Sequence, residues 1–300
     1  MFHLLKHRRR AFRNVVEAVS NYIAVVHNTS PAITAYPWSV AGFGTKFTNP
    51  ATLPTVNGLD VAFTANGDTV AVGHNTTPFI TAYPWSGSGF GTKFSNPATL
   101  PAGLAVDLAF TTNGDAVAVA NFTTPFVTAY PWSGSGFGTK FTNPATLPTG
   151  DGRGIAFTAN GDAVAVAHST TPFITTYPWS GSGFGTKFTN PATLPVGQSD
   201  GVAFTANGDA VAVAHTTTPF ITAYPWSGSG FGTKFTNPAT LPTGQGRGIA
   251  FTANGDAIAV AHQTTPRITA YPWSGSGFGT KFSNPATLPT SDAENVSFSV

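Results

Sequence analysis

Histidine is the side chain best suited to bind a metal or move a proton near neutral pH, and here it recurs on a lattice. His27, His74, His168, His215 and His262 lie at multiples of 47 residues, with Asn121 in the remaining place. A ring of imidazoles invites a metal reading. Coordination needs every ligand about 2 Å from one ion, and copies carried on successive repeats stand too far apart for that. Each His also continues an alternation of two valines, as in Val164, Val166 and His168, and a Thr/Pro turn follows. The set therefore reads as a buried structural ring, and no metal and no cofactor are expected.

Other sets keep the same interval. Trp38, Trp85, Trp132, Trp179, Trp226 and Trp273 read as packing between repeats rather than as platforms for sugars, because a Trp buries a large area. Lys46, Lys93, Lys140, Lys187, Lys234 and Lys281, with Asp68, Asp115, Asp162, Asp209 and Asp256, are expected on one face. Their mutual pairing would contribute about 0–1 kcal/mol per exposed pair. Gly-Ser-Gly-Phe-Gly is not a phosphate loop, since no Lys-Ser/Thr and no helix follow it.

Chemistry that differs between copies gathers at two places. One follows the His position, with Asn28, Asn75, Phe122, Ser169, Thr216 and Gln263. The other is the connection between repeats, with Asp60, Asp107, Asp151, Asp200, Asp292 and Glu294 beside Arg153 and Arg247; Arg267 lies near. We take Asn75, Phe122, Asp107, Asp151, Arg153, Ser169, Asp200, Arg247, Gln263 and Arg267 as the candidate ligand-binding face. No catalytic set is expected.

The elements that hold these residues follow from the period. Tyr-Pro-Trp-Ser begins at Tyr36, Tyr83, Tyr130, Tyr177, Tyr224 and Tyr271, and Asn-Gly-Asp begins at Asn66, Asn113, Asn160, Asn207 and Asn254. Residues 19–300 hold six such 47-residue units without an insertion. In one unit, Gly154–Asp162 alternates toward an Asn-Gly turn, which supplies the positive φ of a tight hairpin. Ala163–His168 and the β-branched, aromatic run Phe173–Ser180 are the next strands. The Gly-rich stretch is expected to be a loop. Thr186–Pro195 is expected to be a weak fourth strand at the edge, because its prolines remove ladder donors.

A four-stranded unit repeated six times buries its faces only against its neighbours, which predicts an all-β fold, a six-bladed β-propeller of four-stranded antiparallel blades. Glu294–Val300 repeats the first strand of a unit, with Val296 and Phe298 at its apolar places. It is expected to complete the blade begun after Tyr22 and so close the ring. The order Val-Ala-Phe-Thr-Ala-Asn-Gly-Asp, then Val-Ala-Val-Ala-His, then Ile-Thr-Ala-Tyr-Pro-Trp resembles the WD-repeat and related propeller families. Tyr-Pro-Trp stands where that pattern has Trp-Asp, and the Gly-His pair is missing.

Composition bounds the function. Only 9% of residues are charged, and there is no Cys and hence no disulfide or thiolate metal site. Lys6, Arg8, Arg9, Arg10 and Arg13 crowd the start, leaving nine Lys and Arg against twelve Asp and Glu elsewhere. That slightly acidic body argues against nucleic acid, and no apolar run reaches the length of a membrane span. Residues 1–18 read as a basic N-terminal extension, helical or frayed, or as an arm that docks a partner. Arg-Arg-Arg-Ala-Phe-Arg is similar to a twin-arginine export signal, but Asn14, Glu17 and Asn21 interrupt the apolar stretch that should follow.

The expected function is a non-enzymatic, multivalent scaffold for a glycan or protein surface, where weak sites around a ring gain avidity. The chain is similar in look to symmetric propeller lectins and to phage and bacterial surface proteins, which implies a virion, extracellular or cell-surface location. The alternative is a propeller hydrolase or lactonase-type enzyme with its site at the central opening. Two glutamates and no long insertions in the chain are the features that argue against it.

Overall fold

The computed structural model describes residues 21–39, 42–55 and 57–298. The N-terminal extension 1–18 lies outside them. Every described element is a β-strand, and the strands form six antiparallel sheets. No helix among the described residues is long and apolar enough to cross a membrane.

Each sheet is one blade. The second runs Gly58–Phe63, Thr69–His74, Ile80–Ser86 and Gly89–Phe90 from inside to outside. The fourth runs Gly152–Phe157, Ala163–His168, Ile174–Ser180 and Gly183–Phe184. The sixth runs Gly246–Phe251, Ala257–His262, Ile268–Ser274 and Gly277–Phe278. In the third (Ala105–Phe110, Ala116–Asn121, Val127–Pro131) and fifth (Ser199–Phe204, Ala210–His215, Ile221–Pro225), single bridges Trp132↔Phe137 and Trp226↔Phe231 replace the outer strand. The first blade has three strands, Asn21–Val26, Ile33–Ser39 and Gly42–Phe43.

The outer strand corrects the sequence reading. The Gly-Phe pair of the supposed loop forms it, and Thr186–Pro195 is irregular. Phe188 N–H donates once to Thr176 O at 3.0 Å. Lys187 Nζ then binds Phe188 O at 3.1 Å and Asn190 Oδ1 at 2.5 Å. Pro191 and Pro195 offer no N–H to extend a ladder.

The Lys–Asp pairing is also corrected. Each Lys is held by the Asn three residues on, as Lys93 is by Asn96 at 2.5 Å. Each Asp instead closes its own hairpin: Asp162 accepts from Thr158 Oγ1 at 2.7 Å and from Asn160 Nδ2 at 2.8 Å. Gly161 between them holds φ +71°, which only a residue without a Cβ adopts freely.

Blades are joined by aromatic wedges. Trp179 meets Phe157 and Phe184 of its own blade edge-on at ring-centre distances of 5.0 Å, and Phe141 of the preceding repeat at 5.3 Å. Tyr177 O–H donates across the same boundary to Thr146 O at 2.7 Å. The last boundary is different. Phe282, the counterpart of Phe141, is 48% exposed, and among the described residues Trp38 stacks only on Phe43. Residues 293–298 lie along the innermost strand of the sixth blade, where a Cβ on Gly248 would fall 2.6 Å from Asn295 Cα. No ladder joins them to Asn21–Val26 among the described residues, so ring closure by this segment is not seen.

Candidate functional site

The innermost strands line a central cavity of about 470 Å³. Their first residues pair with the His ends of the second strands, as Gly152 does with His168. The cavity therefore opens on the side of the two variable loops. Those loops touch within a blade: Ser169 N–H donates to Asp151 O at 3.1 Å and Asn75 N–H to Asn57 O at 3.3 Å.

Two aligned positions per repeat give the cavity its chemistry. The first reads Leu59, Val106, Arg153, Asp200, Arg247 and Glu294; the second reads Asp60, Asp107, Gly154, Gly201, Gly248 and Asn295. Where glycine stands, neighbouring strands approach so closely that a side chain is excluded. A Cβ on Gly201 would come within 2.5 Å of Arg247 O. Where aspartate stands, the carboxylate bridges the strands instead. Asp60 Oδ2 accepts from Leu108 N–H at 2.9 Å, and Asp107 Oδ2 accepts from Ile155 N–H at 2.7 Å.

Asp60 and Asp107 are hydrogen-bonded to each other. Burial raises both carboxyls above the usual carboxylate range, and the charge of Asp60 pushes Asp107 well above it. Two carboxyls in contact cannot both ionise cheaply, so the pair retains one proton to higher pH than a free Asp would.

The opposite wall carries alternating charges. Arg153 Nη1 lies 3.5 Å from Asp200, Arg247 Nη1 lies 2.7 Å from Asp200, and Arg247 Nε lies 3.8 Å from Glu294. Gln198 Nε2 also donates to Asp200 Oδ1 at 2.8 Å. The Arg153 guanidinium stacks on Phe122 at 4.6 Å. The Gln263 side chain, oriented to satisfy both its ends, accepts from Arg247 Nε at 3.3 Å and donates to Gln245 at 3.1 Å.

Of the residues singled out in the sequence, Asp107, Arg153, Asp200 and Arg247 line the cavity. Phe122 and Gln263 support its arginines from behind. Asn75, Asp151 and Ser169 sit in the loops around the mouth and do not line it. Arg267 pairs with Asp292 instead, at a turn where it holds φ +73° and the neighbouring repeats carry Phe. Asp60 and Glu294 belong to the cavity but were not in that set. The signal that could have found Asp60 is the change from aspartate to glycine at one aligned position, Asp60 and Asp107 against Gly154, Gly201 and Gly248.

His74, His168, His215 and His262 are enclosed, whereas His27 in the first blade is only half-buried, which corrects the expectation of a uniformly buried ring. His168 Nε2 meets Thr175 Oγ1 at 2.9 Å, as His215 does Thr222 and His262 does Thr269. Burial pushes His168 and His215 down to about 4 and lowers His74 and His262.

No family model and no curated protein matches the chain. Solved structures do. A crystal structure from Bacteroides uniformis, provisionally named a 6-phosphogluconolactonase, matches with a TM-score of 0.65 at 12% identity. The match covers 86% of this chain and 80% of that one. It shows a propeller-like fold, while membership of the WD-repeat family is not shown. It also corrects the expectation of a scaffold without catalysis. The protein that this chain is similar to carries an enzyme's name, and the ring's centre holds unlike carboxyls and guanidiniums rather than equal binding pockets.

Proposed function

We propose that the chain is a lactonase-type hydrolase that opens a cyclic ester at the central cavity. The observation that carries the reading is the Asp60–Asp107 pair, two hydrogen-bonded carboxyls with raised proton affinity on one wall of that cavity. A pair sharing one proton offers a base and an acid side by side. Asp60, the member with the smaller upward push, takes a proton from water, and the water oxygen bonds to the lactone carbonyl carbon. The ring C–O bond breaks as Asp107 gives its proton to the departing oxygen. One water is consumed, a hydroxy acid is released, and the pair again holds one proton. Positioned acid–base transfer of this kind contributes about 10²–10⁴-fold.

Hydrolysis of a set of δ- and γ-lactones, followed by proton release in a pH-stat, tests the reading. The wild-type protein should open at least one of them above the buffer rate. Asp107→Asn should lower that rate by about 10²–10⁴-fold. Its amide oxygen can still accept from Ile155 N–H, so the melting temperature at pH 7 should not fall. No turnover of any lactone, or equal turnover by the variant, would remove the proposal.

A further inference from the structure

The two cavity arginines could anchor an anionic substrate, but their geometry argues the reverse. Arg247 Nη1 is held by Asp200 at 2.7 Å, and its Nε faces Gln263 at 3.3 Å and Glu294 at 3.8 Å. A guanidinium binds phosphate or carboxylate best through two parallel donors, and on Arg247 that fork is already filled. Arg153 is less fully engaged: one face is covered by Phe122 and its Nη1 is turned to Asp200 at 3.5 Å, while its buried Nε has no hydrogen-bond partner. Asp200 is the hub: its side chain is 8% exposed, and both of its oxygens accept.

The count of charges points the same way. Asp60, Asp107, Asp200 and Glu294 face two guanidiniums across the cavity. Even with one proton on the aspartate pair, the negative charges outnumber the positive ones. A phosphorylated substrate would bring further negative charge into this space, and like charges brought together at a binding site are strongly disfavoured. Carboxylate oxygens are, by contrast, hydrogen-bond acceptors, and they suit a ligand that presents hydroxyl donors.

We infer that the cavity takes an uncharged, polyhydroxylated lactone and discriminates against its phosphorylated counterpart, with Asp200 acting as the internal anion that binds Arg247 and faces Arg153. This rests on the lactonase reading above. It departs from what the name of the structural neighbour would suggest for its own substrate.

The test compares an aldono-δ-lactone with the same lactone phosphorylated on its terminal carbon. The unphosphorylated lactone should have the higher kcat/KM, by about 100-fold. Asp200→Asn releases the arginines and should narrow that ratio by about tenfold or more. Glu294→Gln, at a side chain that is 71% exposed, should narrow it in the same direction and guards against misfolding of the first variant. A calorimetric titration with the two product acids, phosphorylated and not, reads binding without turnover. Wild type should bind the phosphorylated acid more weakly, and Asp200→Asn should bind it at least about tenfold more tightly than wild type does. If neither lactone is hydrolysed, the lactonase reading falls while the titration still decides the charge preference. Equal or better use of the phosphorylated lactone, or tighter wild-type binding of its acid, would overturn the inference.

Discussion

His168 and Asn121 occupy the same place in two repeats and make the same bond, to Thr175 at 2.9 Å and to Thr128 at 3.2 Å. Only one of them titrates. Burial holds His168 and His215 neutral down to about pH 4, against 6.5 for a free imidazole. The unfolded chain therefore takes up protons first as the pH falls from 6.5 toward 4. Stability present at neutral pH is lost through that window, by about 1.4 kcal/mol per unit for each such His at most. The raised carboxyls of Asp60 and Asp107 act with the opposite sign, because the folded state holds their proton more tightly, and they offset part of the loss. The melting temperature should thus drop between pH 6.5 and 4. Replacing His168 and His215 by Asn, the residue that already fills this place in the third blade, should flatten the drop. Superimposable pH curves for wild type and the double variant would show that these imidazoles do not set the acid sensitivity.

At the level of elements, the blade is stabilised mainly by what crosses its boundaries. Tyr83, Tyr130, Tyr177, Tyr224 and Tyr271 each donate to a carbonyl of the preceding repeat at 2.7–2.8 Å, and burial raises every one of these phenols. Tyr177→Phe keeps the ring and deletes the bond, leaving Thr146 O without that donor. It should cost about 1 kcal/mol in urea unfolding; no change would mean that water replaces the hydroxyl fully. The three inner strands and their hairpins were legible because alternation and Asn-Gly turns are local. The outer strand was not. Its position depends on where Pro191 and the Lys187–Asn190 bond stop the ladder, and on a two-residue pairing, Trp179 with Phe184 and Ser180 with Gly183, that carries no periodic signal.

Over the whole molecule, a repeat of 47 residues dictates six blades before any contact is known, and the scaffold is accordingly the most readable part. The site was only half readable. Asp107, Arg153, Asp200 and Arg247 could be placed on the variable side of the disc from their loops alone. That Asp107 touches Asp60, and that Asp200 sits between two arginines, depends on how strands 47 residues apart in sequence lie side by side. The asymmetry that makes a site was sought in glutamates and long insertions. It lies instead in one aligned position, aspartate in two blades and glycine in three, within strands that otherwise copy one another. The proposed role of this carboxyl pair, sharing a proton, is to open a lactone. The pH profile of lactone hydrolysis, corrected for the spontaneous reaction, tests it most directly. A bell is expected: activity falls in acid as the basic carboxylate is protonated, and falls again, above the ordinary carboxylate range, as the proton on Asp107 is lost. A rate that simply follows hydroxide across the range, or a bell that survives unchanged in Asp107→Asn, would contradict it.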